Sequence, residues 1–187
     1  MDTVTLAQGL LLYAILPLWV VAGVGDYLCH RASQISTTSG VKEALIHWLM
    51  LVEIGVPILL GLFFEVNALI LLIMLIGLIV HYATGLWDLY YAYESPRAIT
   101  PLEQHIHSYQ EMLPITGFAM IVLINWEQFL ALLGGGNQAA DFTLRYKSIL
   151  WESGYAPVML AVIFCCVILP YGEELLRCVR ARKHVYR

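Results

Sequence analysis

The chain has 187 residues, 60% of them hydrophobic and 13% charged, with a mean hydropathy of +0.74. Soluble domains run nearer about 45–50% apolar and about 25% charged, so this chain has too few polar side chains to cover a surface in water; lipid is its natural solvent. The net charge of −4 excludes nucleic acid as a partner, because a binder would show a basic stripe.

The N-terminus, MDTVTLAQ, lacks the positive region of a cleavable signal peptide, so the first apolar stretch is expected to remain as a helix. A membrane span needs about 20 mostly apolar residues. Five stretches qualify: 5–31, 42–64, 67–93, 101–132 and 156–179. The fold predicted is therefore an all-α integral membrane protein, a single domain of five transmembrane helices over residues 1–187. SQISTTSG forms a polar loop after the first span, and only Glu65 to Asn67 separates the second from the third, which makes those two a tight hairpin. Ser95-Pro96-Arg97 breaks the chain before the fourth span, Thr100-Pro101 reads as an N-cap with proline at the first helical position, and Gly134-Gly135-Gly136-Asn137 ends it. Residues 138–155 are amphipathic and are expected to lie along the interface.

Alternate loops share a side. Arg31, Lys42, Arg97, Arg177, Arg180, Arg182, Lys183 and Arg187, eight of the ten basic residues, fall on one side, and only Arg145 and Lys147 on the other. The positive-inside rule places the first side in the cytosol and the N-terminus outside, in an inner or plasma membrane. Cys29, Cys165, Cys166 and Cys178 form no CxxC pair and read as reduced packing residues.

A charge at a helix centre costs about 2.5–3.5 kcal/mol, yet four spans carry ionisable residues. Asp26 and His30 lie on span one, His47 and Glu53 on span two, His81 and Asp88 on span three, and Glu103, His105, His107 and Glu111 on span four. Counting inward from the cytosolic ends, Asp26, His47, Asp88 and His107 fall roughly 8–9 Å deep, and Glu53, His81 and Glu111 roughly 15–19 Å. His30 and Glu103 sit at the mouth, and the outer half of the same spans is almost purely apolar. Asp26 with His30, His81 with Asp88, and Glu103 with His107 and Glu111 each share a helical face. His105 points away, and His47 and Glu53 are about 120° apart. Pro57 and Pro114 remove the hydrogen bonds to the carbonyls of Glu53 and Gln110, so both helices can bend beside the cluster. Trp87, Tyr90, Tyr91 and Tyr93 read as an aromatic belt. Span five carries no ionisable residue until Glu173 and Glu174 at its end and is expected to stand aside.

His and carboxylate groups projecting inward from four helices are how di-iron and di-manganese sites are built. Asp26, His30, His47, Glu53, His81, Asp88, His107 and Glu111 are the candidate ligands, with Glu53 preferred over His47 if only one of those two binds. Glu103 serves as outer ligand or proton shuttle, and Glu103 and Glu111 are the candidate catalytic carboxylates. The stock suffices for two metal ions; iron suits the donors best, and manganese or zinc also accept them. Ligand types and cytosol-facing placement resemble those of membrane di-iron oxidoreductases such as alternative oxidases and lipid desaturases or hydroxylases. Where ferritin-like proteins carry Glu-x-x-His this chain has Glu103-x-x-x-His107, and His105-Ile106-His107 is the nearest approach to a paired-histidine box. The resemblance implies an oxidoreductase of lipid metabolism acting on an acyl lipid or quinone, with an electron-donor protein as partner.

Two other classes stand beside it. A zinc-dependent lipid hydrolase would use Glu53 or Glu111 as general base. A non-enzymatic protein would bind haem through His81 with His107 or His47, or relay ions, although the apolar outer half offers no continuous path. Gly23, Gly25, Gly55 and Gly61 permit close helix packing, with which a homo-oligomer is compatible.

Overall fold

A computed structural model describes residues 2–147 and 149–185, and among them the chain is helical apart from connecting segments. Helix α1 spans Thr3–Ala32, α2 Gly40–Phe63, α3 Ala68–Glu94, α4 Pro101–Ile124, α5 Trp126–Leu132 and α6 Ile149–Glu152. Helix α7 comprises Tyr155–Ile163, a π-helical turn Phe164–Ile168 and Leu169–Val185. Four of these helices are long and apolar enough to cross a membrane, and a fifth counts if α4 and α5 are one span. Large apolar side chains such as Val21, Leu45, Ile79, Leu123 and Val158 face outward on all of them.

The ends of these helices follow from local chemistry. Thr100 and Glu103 form the cap expected before α4, reciprocally: the Thr100 hydroxyl accepts the Glu103 N–H and the Glu103 carboxylate accepts the Thr100 N–H. Asn67 caps α3 through the Ile70 N–H and donates its amide to the Thr143 carbonyl at 2.6 Å. The predicted fourth span of 101–132 is not one rod. It bends by 97° at Asn125, whose backbone leaves the helix and whose side chain donates to the Ile121 carbonyl, so α5 runs across the bundle end. Residues 138–147 carry no helix, and they pair with the α2–α3 hairpin: Glu65 N–H meets the Arg145 carbonyl, and Lys147 N–H the Phe63 carbonyl, both at 2.8 Å.

Prolines are handled in two ways. Pro17 and Pro170 each follow a π-helical turn, Leu11–Ile15 and Phe164–Ile168. In the first turn Leu16 N–H bonds to the Leu11 carbonyl, which makes Pro17 the next donor in register, and proline has none. The Leu12 carbonyl thus left over accepts the Tyr155 hydroxyl, tying α1 to α7. Pro57 and Pro114 instead sit inside α2 and α4, which remain α-helical around them. Gly77 of α3 packs onto the Glu53 carbonyl that Pro57 frees: a Cβ there would lie 2.8 Å from that oxygen.

Helix α3 packs along α2, α4 along α1, and α7 against α2 and the α1–α2 loop. That loop is anchored by Ile35, fully buried against Ala44 and Cys178. Trp87, Tyr90 and Tyr93 are exposed, as an aromatic belt requires, whereas Tyr91 turns in to donate to the Ser39 carbonyl. All four cysteines are free. The side chain of Lys183 and all of Arg187, both counted above toward the basic side, lie outside the described residues.

Candidate metal centre

The polar residues meet at one end of the bundle, where α1, α3 and α7 finish and α2 and α4 begin. Three of these helices bring an acid and a histidine four residues apart, hence on one face: Asp26 and His30, Glu43 and His47, Glu103 and His107. His30, Glu43 and Glu103 are fully buried, and Asp26, His47 and Asp88 nearly so.

Glu174 of α7 organises the centre. Its two oxygens face the Nδ1 atoms of His30 and His47 at 3.1 and 3.3 Å. An ionised carboxylate only accepts, so both Nδ1 atoms must donate, and in a neutral imidazole Nε2 then carries a lone pair. The two rings stack with centroids 4.4 Å apart and planes 10° from parallel. Their Nε2 atoms therefore project side by side toward other carboxylates. His30 Nε2 lies 3.2 Å from Asp26 Oδ1 and 3.8 Å from Glu103 Oε1. His47 Nε2 lies 3.3 Å from Asp88 Oδ1 and 4.0 Å from Glu43 Oε1. Neither Nε2 meets hydrogen-bond geometry with any of them.

Asp26 has two further partners. Its Oδ1 also faces His107 Nε2 at 2.8 Å, and its Oδ2 accepts the Tyr171 hydroxyl at 2.9 Å. Two sets of side chains bring donor atoms within 4.8 Å of one another, as a metal ion requires: Asp26 with His30 and His107, and His30 with Glu43 and His47. Arg97, from the segment before α4, closes the mouth. It is buried, reaches Glu43 Oε1 at 2.6 Å, pairs with Glu103 Oε1 and donates to the Ser33 hydroxyl.

The deeper residues form a separate layer. His81 Nδ1 is 3.7 Å from Glu53 Oε2, and Thr84 donates to Glu53 Oε1 at 2.7 Å. Neither ring nitrogen of His81 meets hydrogen-bond geometry with another group. Glu111 is half-buried. Together with Asp26, His47, Asp88 and His107, His81 and Glu111 line a cavity of about 70 Å³ between the two layers. The ligand-distance groups thus include His47 and not Glu53, the reverse of the preference drawn from the sequence. Of the candidate ligands, Asp26, His30, His47, Asp88 and His107 are brought together, with Glu103 beside them; Glu53, His81 and Glu111 lie beneath. His105 is exposed, as its face predicts.

Four participants were not singled out from the sequence as site residues: Glu43, Arg97, Tyr171 and Glu174. Glu43 repeats the acid-x-x-x-His spacing of the other two helices and was open to recognition. Glu174 brings span five into the centre it was expected to stand aside from, because α7 packs between α1 and α2 at this end. No family model, curated protein or solved structure matches the chain, so the chemistry of the centre is read from its own residues.

Proposed function

We propose that this chain is an integral membrane protein that holds two metal ions at the cytosolic end of its bundle and oxidises an apolar, membrane-dissolved substrate there. The observation that carries this reading is acceptor facing acceptor. With Nδ1 committed to Glu174, each Nε2 of His30 and His47 faces carboxylate oxygens outside hydrogen-bond geometry, and a cation between them makes that arrangement favourable. Two ligands at about 2.0–2.2 Å from a common ion, roughly 90–110° apart, are themselves about 2.8–3.6 Å apart. The His30–Asp26 and His47–Asp88 separations of 3.2 and 3.3 Å fall in that window.

Charge supports the same count. Asp26, Glu43, Asp88, Glu103 and Glu174 against Arg97 leave four negative charges in a nearly dry site, the charge of two divalent cations. Burying such charges uncompensated costs several kcal/mol each. The stacked imidazoles, with centroids 4.4 Å apart, would set their ions somewhat beyond the spacing of about 3.5–4 Å between paired catalytic metals, unless a shared carboxylate draws them together. In this assignment Asp26, His30 and His107 serve one ion, with Glu103 beside them, and Glu43 and His47 the other, with Asp88 beside His47. Glu174 fixes both tautomers, and Tyr171 orients Asp26.

The all-nitrogen-and-oxygen donor set suits iron or manganese. Bound iron would supply one-electron and O₂ chemistry, which these side chains lack. Glu53, His81 and Glu111 line the space between the centre and the apolar interior, where they would carry protons while the walls exclude water. An electron-donor protein would approach from the cytosolic face, where Arg31, Lys42, Arg177, Arg180 and Arg182 gather; Arg97, though counted with them, is spent inside.

The test is metal analysis of protein purified after expression in iron-rich medium. About two iron or manganese ions per chain are expected, and fewer than about one sinks the proposal. Zinc without a visible chromophore would transfer the centre to hydrolytic chemistry, and an intense Soret band to haem.

A further inference from the structure

Below the polar layers the bundle opens into a second, larger cavity of about 540 Å³, within the range of about 300–1,000 Å³ usual for small-molecule sites. It continues from the polar one. Trp19 lines both, and on two other helices the lining passes from polar to apolar within one turn, from His81 to Leu78 and from Glu111 to Pro114. Its walls are apolar almost throughout, and its polar side chains, Gln8, Asn125, Lys147 and Ser153, gather at the end away from the cluster. From Gln8 to Trp19 the cavity follows α1 for roughly 16 Å, which gives it a mean cross-section of roughly 34 Å². One hydrocarbon chain at contact distances of about 4–4.5 Å needs about 20 Å², and two need about 40 Å².

Lys147 stands where the cavity ends. Its N–H is held by the Phe63 carbonyl, which fixes the residue against the end of α2. Among the described residues no carboxylate lies within ion-pair distance of its ammonium group. Burial pulls the Lys147 pKa down, with Glu65 acting weakly in the other direction. A half-buried cation at the mouth of a one-chain slot is complementary to one kind of molecule.

We infer that the cavity binds a single-chain amphiphile with an anionic head, its head at Lys147 and the end of its chain at Trp19 beneath the polar cluster. This deepens the proposed oxidation and rests on it only for what the chain end meets. It names the substrate class as a long-chain acid or phosphate monoester, and it places carbons remote from the head, not the head itself, nearest the centre. Ester hydrolysis would require the opposite orientation.

The test uses the full chain in detergent micelles with palmitate, palmitoyl phosphate and methyl palmitate as probes. Both anions are expected to bind at least tenfold tighter than the methyl ester, and Lys147→Gln to abolish that preference. Gly117→Phe, at a lining glycine where a Cβ meets only side-chain carbons at 3.8 Å, should weaken all three probes. A stearate brominated near its chain end should quench Trp19, isolated by difference from Trp19→Phe, and one brominated beside its carboxyl should not. Equal binding of acid and ester, or quenching by the carboxyl-proximal bromine alone, overturns the inference. Metal content is measured on the same samples. Metal-free protein that still prefers the acid overturns the metal centre and leaves this site standing; metal-loaded protein without the preference does the reverse.

Discussion

Glu174→Gln isolates what holds the centre together. The substitution keeps the side chain's size and removes one acceptor. A glutamine amide offers one accepting oxygen and one donating nitrogen, so it satisfies one of the two Nδ1–H groups that Glu174 receives at 3.1 and 3.3 Å. The other imidazole must turn a lone pair toward the amide, which moves its proton to Nε2 and ends its use as a ligand. Loss of such a supporting carboxylate typically lowers metal affinity about 10–100-fold, or about 1.4–2.8 kcal/mol. Here the upper end is expected for one ion, with the other little changed. Dialysis against a chelator of graded strength, followed by metal analysis, should therefore find about one ion per chain where the parent keeps about two. Melting temperatures supply the refutation. In chelator-treated protein the variant removes one of five carboxylates that repel one another, so it should melt no lower than the parent. If protonated imidazoles alone held the cluster, Glu174→Gln would break buried ion pairs under every condition, at a cost of about 3–5 kcal/mol. Equal destabilisation with and without chelator would defeat the two-metal argument.

Arg97→Met removes the cation placed between Glu43 and Glu103, so metal-free protein should lose about 3–5 kcal/mol of stability and metal-loaded protein less, read as a wider gap between the two melting temperatures. Gly77→Ala forces a Cβ to 2.8 Å from the Glu53 carbonyl and should destabilise by about 1–3 kcal/mol. At Gly55, where a Cβ meets nothing within 4 Å, the same change should stabilise by about 0.5–1 kcal/mol; melting in one detergent compares the pair. Thr100→Ala should cost about 0.5–2 kcal/mol through the lost cap and, by loosening Glu103, should also lower metal retention in the dialysis assay.

The spans were legible because hydropathy over about 20 residues is a coarse, strong signal. The break at Asn125 was not, since 101–132 passes as one span on hydropathy despite Asn125, Glu127 and Gln128, and the Asn125 side chain's competition for a backbone carbonyl marks the turn. Depth counting found the level at which Asp26, His47, Asp88 and His107 meet, because a helix rises by a fixed increment. It could not distinguish Glu173 from Glu174. The two are adjacent acids at a helix end; the first is half-exposed with Tyr27, Arg31 and Arg177, and the second is buried between two histidines. Packing of α7 makes that difference, and packing has no signature at one-residue spacing. Arg97 misled in the same way: a loop arginine counts toward topology, yet this one turns inward to carboxylates 6 and 54 residues away in sequence.

Glu103 is divided between two tasks. One oxygen closes the cap of α4 on the Thr100 N–H, while the other belongs to Arg97 and the rim of the centre. Whatever draws that carboxylate inward or releases it also tightens or frays the first turn of α4. Amide exchange at Thr100 and the turn that follows should therefore track the state of the centre. Completion of the helix start and completion of the centre become a single cooperative event, with the backbone as its reporter.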